Sequence, residues 1–196
     1  MNRYYRAKNG GDSDSEDEIE VVRVIGSEMY YTGDICAENN LEFVQKFKSL
    51  ETHLLKCAAD LCTYKPAIRV HINSDGGDLH CGFALMNLLE RSRVHVTTIA
   101  SGTCASAATL FLLGGRERLC AKNATVLIHQ LSSGCWGKYT ELKQEMKTFQ
   151  TLMKMLSNVY ESKCEIPAKR LARMFKKDIT LTPKKALKYK IVAGID

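Results

Sequence analysis

Apolar positions along the chain change period several times, and each change marks an element. Residues 1–19 carry almost none: they contain Gly10-Gly11 and the acidic run Asp12-Ser-Asp-Ser-Glu-Asp-Glu18, which predicts a disordered tail. Order is expected to begin at residue 20 and to continue to residue 196 as one domain. Ile19-Glu-Val-Val-Arg-Val-Ile25 is a β-branched strand pattern, and Met29-Tyr-Tyr-Thr32 follows as a second strand after Gly26. From residue 39 to 60 the spacing turns helical, with Leu41, Val44, Phe47, Leu50, Leu54, Leu55 and Ala58 on one side.

Pro66 resets the chain, and Ala67-Ile-Arg-Val-His-Ile72 reads as a strand. Asn73-Ser-Asp-Gly-Gly77 is a turn, and Leu79, Phe83, Leu85, Met86, Leu88 and Leu89 predict a helix over 79–90. The order then repeats as a strand over 94–100, a small-residue junction, a helix over 105–113 and a strand near 124–128. Strands alternating with helices predict an α/β fold with a parallel sheet and βαβ crossovers.

Residues 138 to about 163 form a single long helix pattern, in which Leu142, Met146, Phe149, Met153, Leu156 and Tyr160 recur in steps of four and three. Such a stripe needs a partner surface, either the core or another subunit. A helix from Pro167 to Phe175, a short strand over 179–181, a helix led by Pro183 and a final strand Ile191-Val-Ala-Gly-Ile195 complete the pattern.

Composition adds limits. The chain has 196 residues, is 45% hydrophobic and 26% charged, and carries a net charge of +6. The excess Lys and Arg lie in the C-terminal third, interleaved with apolar residues, as on the solvated faces of amphipathic helices. Basic residues are not interleaved with aromatic ones, so no nucleic-acid partner is expected. The eight cysteines show neither a C-x-x-C pair nor matching His spacing, so no metal site and no disulfide framework are expected. Neither a secretory h-region nor an 18-residue apolar run occurs, which argues against a membrane span and for a reducing, cytoplasmic setting.

Four segments carry candidate chemistry. Ser101-Gly-Thr-Cys-Ala-Ser-Ala-Ala-Thr109 puts Ser106 among small residues at a strand-to-helix junction, where a hydroxyl can stand beside free helix N–H groups. His129 closes the apolar strand Val126-Leu-Ile, at the strand end where α/β proteins build sites. Gly76-Gly77 can turn backbone N–H groups towards a ligand. Asp178 could orient a histidine and stabilise its imidazolium. Each, taken singly, is equally well explained by ordinary packing or by a surface turn.

Their order and spacing resemble the ClpP family of serine peptidases, from about Val24 to Asp196. His71-Ile-Asn-Ser-Asp-Gly-Gly77 is similar to the family's Ile-Asn-Ser-Pro-Gly-Gly turn. Gly102-Thr-Cys-Ala-Ser-Ala107 is similar to its Gly-x-Ala-Ala-Ser nucleophile segment, and Leu127-Ile-His-Gln130 to its Met-Ile-His-Gln strand. Lys177-Asp178 and the closing Ile191-Val-Ala-Gly-Ile-Asp196 resemble its C-terminal motifs, and Leu156-Ser-Asn-Val-Tyr160 its Leu-Asn-x-Ile-Tyr.

The resemblance implies a ClpP/crotonase-like core of repeated β-β-α units wound as a spiral, with the long helix projecting as a handle. It implies Ser106 as nucleophile, His129 as general base and then acid, Asp178 as the orienting carboxylate, and the N–H groups of Gly77 and Ala107 as an oxyanion hole. No cofactor follows from it. The implied function is a serine endopeptidase acting on unfolded polypeptides or short peptides inside a homo-oligomeric chamber of stacked heptameric rings, with a Clp-type ATPase unfoldase as a further partner. Alternatives are a non-catalytic scaffold subunit, a processing protease working without an ATPase, and an acyl-CoA enzyme of the related crotonase fold. Three departures stand out. Asp75 replaces the turn's proline, Lys176-Lys177 replaces an acid–arginine pair, and the family's hydrophobic axial segment is not recognisable at the N-terminus.

Overall fold

The computed structural model describes residues 20–61 and 63–196, so the acidic tail expected over 1–19 lies outside the described residues. Strands β1 (Val22–Ile25) and β2 (Glu28–Thr32) form a hairpin, followed by helix α1 (Ala37–Asp60). Then come β3 (Ala67–Ser74), α2 (Leu79–Glu90), β4 (His95–Ala105), α3 (Ala107–Leu113), β5 (Glu117–Cys120) and β6 (Thr125–Ile128). The long helix α4 (Tyr139–Lys163), α5 (Ala168–Lys177), β7 (Ile179–Leu181), α6 (Pro183–Lys188) and β8 (Gly194–Ile195) complete the chain. Among the described residues no helix is long and apolar enough to cross a membrane.

The sheet runs β1-β2-β3-β4-β5-β8, and all pairs from β2 to β8 are parallel. Strand β4 is longer than the apolar run at 94–100 predicts, because its small residues continue the ladder instead of ending it. Thr97–Ala100 pair with β5, whereas Thr103–Ala105 pair with β6. Between the two halves the β3–β4 register shifts by two residues, from Ile72↔Ala100 to Ser74↔Cys104. The Asn73 side chain fills the irregularity by accepting the Thr103 N–H at 3.0 Å. The bulge turns the second half of β4 towards a different neighbour, and that half leads directly into Ser106.

One strand lies outside the expected elements, and one expectation is corrected. Strand β5 has no apolar signature, since Glu117-Arg-Leu-Cys120 is short and half polar; its pairing with β4 and β8 holds it extended. In α1 the inward stripe is Phe43, Phe47, Leu50 and Leu54, while Leu41 is 60% exposed. The aromatic rings decide the rotation: Phe43 meets Phe47, Phe111 and Tyr31 at centroid distances of 5.7, 4.9 and 6.0 Å.

Helices α2 and α3 lie against this cluster and the sheet, and the whole of α3 is buried. The stripe on α4 is divided. Leu156 and Tyr160 enter the core, whereas the first half of the helix projects and leaves Met146 52% exposed. Trp136 and Tyr139, at the base of that projection, are also exposed.

Candidate active site

Ser106 stands between β4 and α3 with φ 55° and ψ −125°, a conformation rarely adopted by an L-residue that costs about 1–3 kcal/mol. The surrounding contacts hold it there. Its N–H donates to the Leu127 carbonyl at 2.9 Å, and its own carbonyl accepts the Thr109 N–H at 3.0 Å and the Thr109 hydroxyl at 2.6 Å. Ser106 is the N-cap of α3, yet its side chain makes no capping hydrogen bond. The hydroxyl is therefore not consumed by the helix end.

The glycine turn packs against this serine, and side chains are excluded from it by contact. A Cβ on Gly76 would lie 2.6 Å from Ser106 Cβ, and one on Gly77 would lie 2.2 Å from the Ile35 carbonyl oxygen. Both glycines also have positive φ, 103° and 145°. Gly77 faces Ile35 across a parallel bridge in which Ile35 N–H donates to Gly76 O and Asp78 N–H donates to Ile35 O, each at 2.8 Å. In that pattern the hydrogen bonds belong to the neighbours of Gly77, so its own N–H points to the opposite side. Two further bonds fix the turn: Gly76 N–H donates to Ser74 Oγ at 3.1 Å, and Cys81 N–H donates to the N-cap carboxylate of Asp78 at 2.8 Å. The second bond holds the Asp78 carboxyl below its usual range.

Sheet register brings the remaining residues close. Ala105 pairs with Leu127 in parallel β4 and β6, so the chain on either side delivers Ser106 and His129 to the same end of the sheet. Ile128 pairs with Ile179 in antiparallel β6 and β7, which makes His129 and Asp178 the next opposed positions. Asp178 turns the chain out of α5 in the left-handed region, φ 42°. Its Oδ1 lies 4.0 Å from His129 Nδ1, an ion-pair distance longer than a hydrogen bond. The Asp178 side chain is 74% exposed, against 23% for His129.

Ser106, His129, Gly77 and Ala107 line one cavity of about 270 Å³, together with Asp75, Leu79, Leu156 and Tyr160. Four of the five site residues expected from the sequence therefore share a cavity wall, and Asp178 stands behind His129. Sequence reasoning missed Thr109 and Tyr160. Both are buried, and a hydrogen bond joins their hydroxyls.

The family model for Clp protease matches residues 35–195, which includes every element from the end of the hairpin to β8. The chain belongs to the Clp protease family. It is 30% identical over 125 residues to a protein of Oltmannsiellopsis viridis named ATP-dependent Clp protease proteolytic subunit, a match covering 63% of this chain and 64% of that one. A protein of the same name from Deinococcus radiodurans is 28% identical over 127 residues, covering 64% of this chain and 62% of that one. The chain thus spans just under two thirds of the length of these Clp protease relatives. A solved structure of a ClpP1 mutant from Listeria monocytogenes superposes with a TM-score of 0.74, covering 87% of this chain and 91% of its own, at 19% identity. That likeness is one of fold, and it agrees with an α/β core from which a long helix projects.

Proposed function

We propose that the chain is a serine peptidase that cleaves unfolded polypeptides or short peptides by acyl transfer. The observation that carries this reading is the strained Ser106, its hydroxyl free of the helix cap, sharing a cavity with His129 and with the backbone of Gly77 and Ala107. In the proposed reaction Ser106 Oγ attacks the peptide carbonyl carbon while His129 takes its proton. The oxyanion forms beside the N–H groups of Gly77 and Ala107, and His129 then protonates the departing amine as the C–N bond breaks. Water, deprotonated by His129, attacks the acyl carbon and regenerates the serine. Asp178 stabilises the imidazolium that forms twice in this cycle.

The projecting first half of α4, with Tyr139 and Met146 exposed, supports assembly with further copies into a chamber, as the relatives' name "proteolytic subunit" suggests for them. A Clp-type ATPase is the partner their name implies, and a reducing cytoplasmic setting suits the cysteine pattern. The 4.0 Å gap between His129 and an exposed Asp178 favours one other reading, a non-catalytic scaffold subunit of the same fold. Labelling with a fluorophosphonate separates the two. Modification of Ser106 that Ser106→Ala abolishes supports the peptidase, and unlabelled serine in assembled protein rejects it.

A further inference from the structure

The strained backbone of Ser106 is held on its N-terminal side by β6, through the Leu127 carbonyl, and on its C-terminal side by a single residue, Thr109. The Thr109 hydroxyl has one hydrogen, which it donates to the Ser106 carbonyl at 2.6 Å. Its bond with the Tyr160 hydroxyl must therefore run the other way, with Tyr160 as donor. The result is a directed chain, from Tyr160 O–H to Thr109 Oγ1 and from Thr109 O–H to the carbonyl of Ser106. Both side chains are buried, which strengthens each link. Burial also pushes the Tyr160 phenol far above its ordinary pKa, which keeps it a neutral donor.

Tyr160 belongs to α4, whose first half projects from the domain. Its ring meets Phe175 edge-on at 5.9 Å, and the Phe175 carbonyl accepts the N–H of Gln130, the residue after His129, at 3.0 Å. Phe175 also lies in the last turn of α5, which ends at Asp178. One side chain of the long helix therefore meets, through its ring, the last turn of α5 that leads to Asp178 and is bonded to the residue after His129, and reaches the nucleophile's carbonyl through its hydroxyl by way of Thr109.

We propose that Tyr160 is a positioning residue for Ser106, holding the serine in its reactive conformation through Thr109. This inference rests on the peptidase reading above. Tyr160→Phe keeps the ring and its contact with Phe175 and removes only the donor. The expected result is a fall of about tenfold or more in fluorophosphonate labelling of Ser106 and in kcat, with KM changed less than about twofold. Thr109→Val is expected to match that loss, and the double variant to be no worse than either single one, because both break the same chain. Thr109→Ser keeps the hydroxyl and is expected to retain the rate. Wild-type labelling at Ser106 with an unchanged rate in Tyr160→Phe overturns the positioning role alone. Multiplying losses in the double variant, or a Thr109→Ser loss equal to that of Thr109→Val, overturns it as well. An unlabelled wild-type serine overturns the peptidase reading and this one with it.

Discussion

His129 Nδ1 and Asp178 Oδ1 stand 4.0 Å apart, close enough for an ion pair and too far for a hydrogen bond. The backbone fixes this neighbourhood, because the β6–β7 register makes the two residues opposed positions. The side chains leave it slack, since most of the Asp178 carboxylate is in solvent and has no packing to aim it. Catalytic contacts that are long without substrate often tighten when it binds.

The carboxylate is therefore expected to matter for rate and hardly at all for folding. Asp178→Asn keeps a residue that tolerates the left-handed backbone. Peptidase turnover should fall on the order of a hundredfold or more, as expected when a general base loses its orienting charge. The melting temperature should move by less than about 2 °C. Turnover at the wild-type level removes Asp178 from the mechanism.

The glycine turn makes the opposite prediction, a large loss of stability from one added methyl. Gly77→Ala drives a Cβ to 2.2 Å from the Ile35 carbonyl, and Gly76→Ala drives one to 2.6 Å from Ser106 Cβ. With positive φ added to the clash, each should cost about 2–4 kcal/mol in urea unfolding. Unchanged midpoints would show that the turn is not packed against Ile35 and Ser106.

Glu51 sets an acid limit on stability. Its carboxylate is buried, accepting Ser92 Oγ at 2.7 Å, the Arg93 N–H at 2.8 Å and Lys48 Nζ at 2.8 Å. Burial alone raises its pKa, but the bonds from Lys48, Ser92 and Arg93 outweigh it and the net shift is below the ordinary 4.5. A depressed folded-state pKa contributes stability that is present above about pH 4.5 and is lost as the pH falls through the folded value. Urea unfolding from pH 7 to 3 should show that loss, and Glu51→Gln should flatten it while lowering stability at pH 7. Parallel pH profiles for the two proteins would reject the assignment.

Legibility in the sequence followed the kind of force involved. Helix α2 and strand β3 were legible because one periodic apolar face decides each of them. Ser106 and His129 were legible because they sit at junctions, where small residues or the end of an apolar run mark the place. Strand β5 was invisible, since only its partners hold it extended, and the continuation of β4 to Ala105 depends on Asn73 reaching across from β3. Thr109 closes the small-residue segment and Tyr160 ends the Leu156–Tyr160 motif, but nothing in either segment links the two. A hydrogen bond between residues 51 positions apart leaves no local pattern.

The first half of α4 should act in assembly. Met146 is 52% exposed, and Trp136 and Tyr139 at the base of the projection are exposed as well, large apolar side chains that a partner copy would bury. Met146→Glu combined with Phe149→Glu should reduce the sedimentation coefficient to that of a monomer and leave far-UV circular dichroism intact. Peptidase activity should fall with assembly if Asp178 is aimed by contacts that form there. A wild-type protein that sediments as a monomer at all concentrations sinks this prediction.

Asp75 is the most consequential difference from the expected glycine turn. It is exposed and lines the cavity that holds Ser106 and His129, the cavity in which the proposed oxyanion would form. Two like charges across a solvated gap repel by about 1 kcal/mol, which corresponds to a severalfold penalty on rate. Asp75→Asn should therefore raise kcat about three- to tenfold on an uncharged peptide. The advantage should shrink between about 0.05 and 0.5 M salt, because the interaction is screened. It should also shrink for a peptide with lysine beside the scissile bond, whose ammonium Asp75 would attract in the native protein. An equal gain at both salt concentrations would mean that the substitution acts through the shape of the turn and not through its charge.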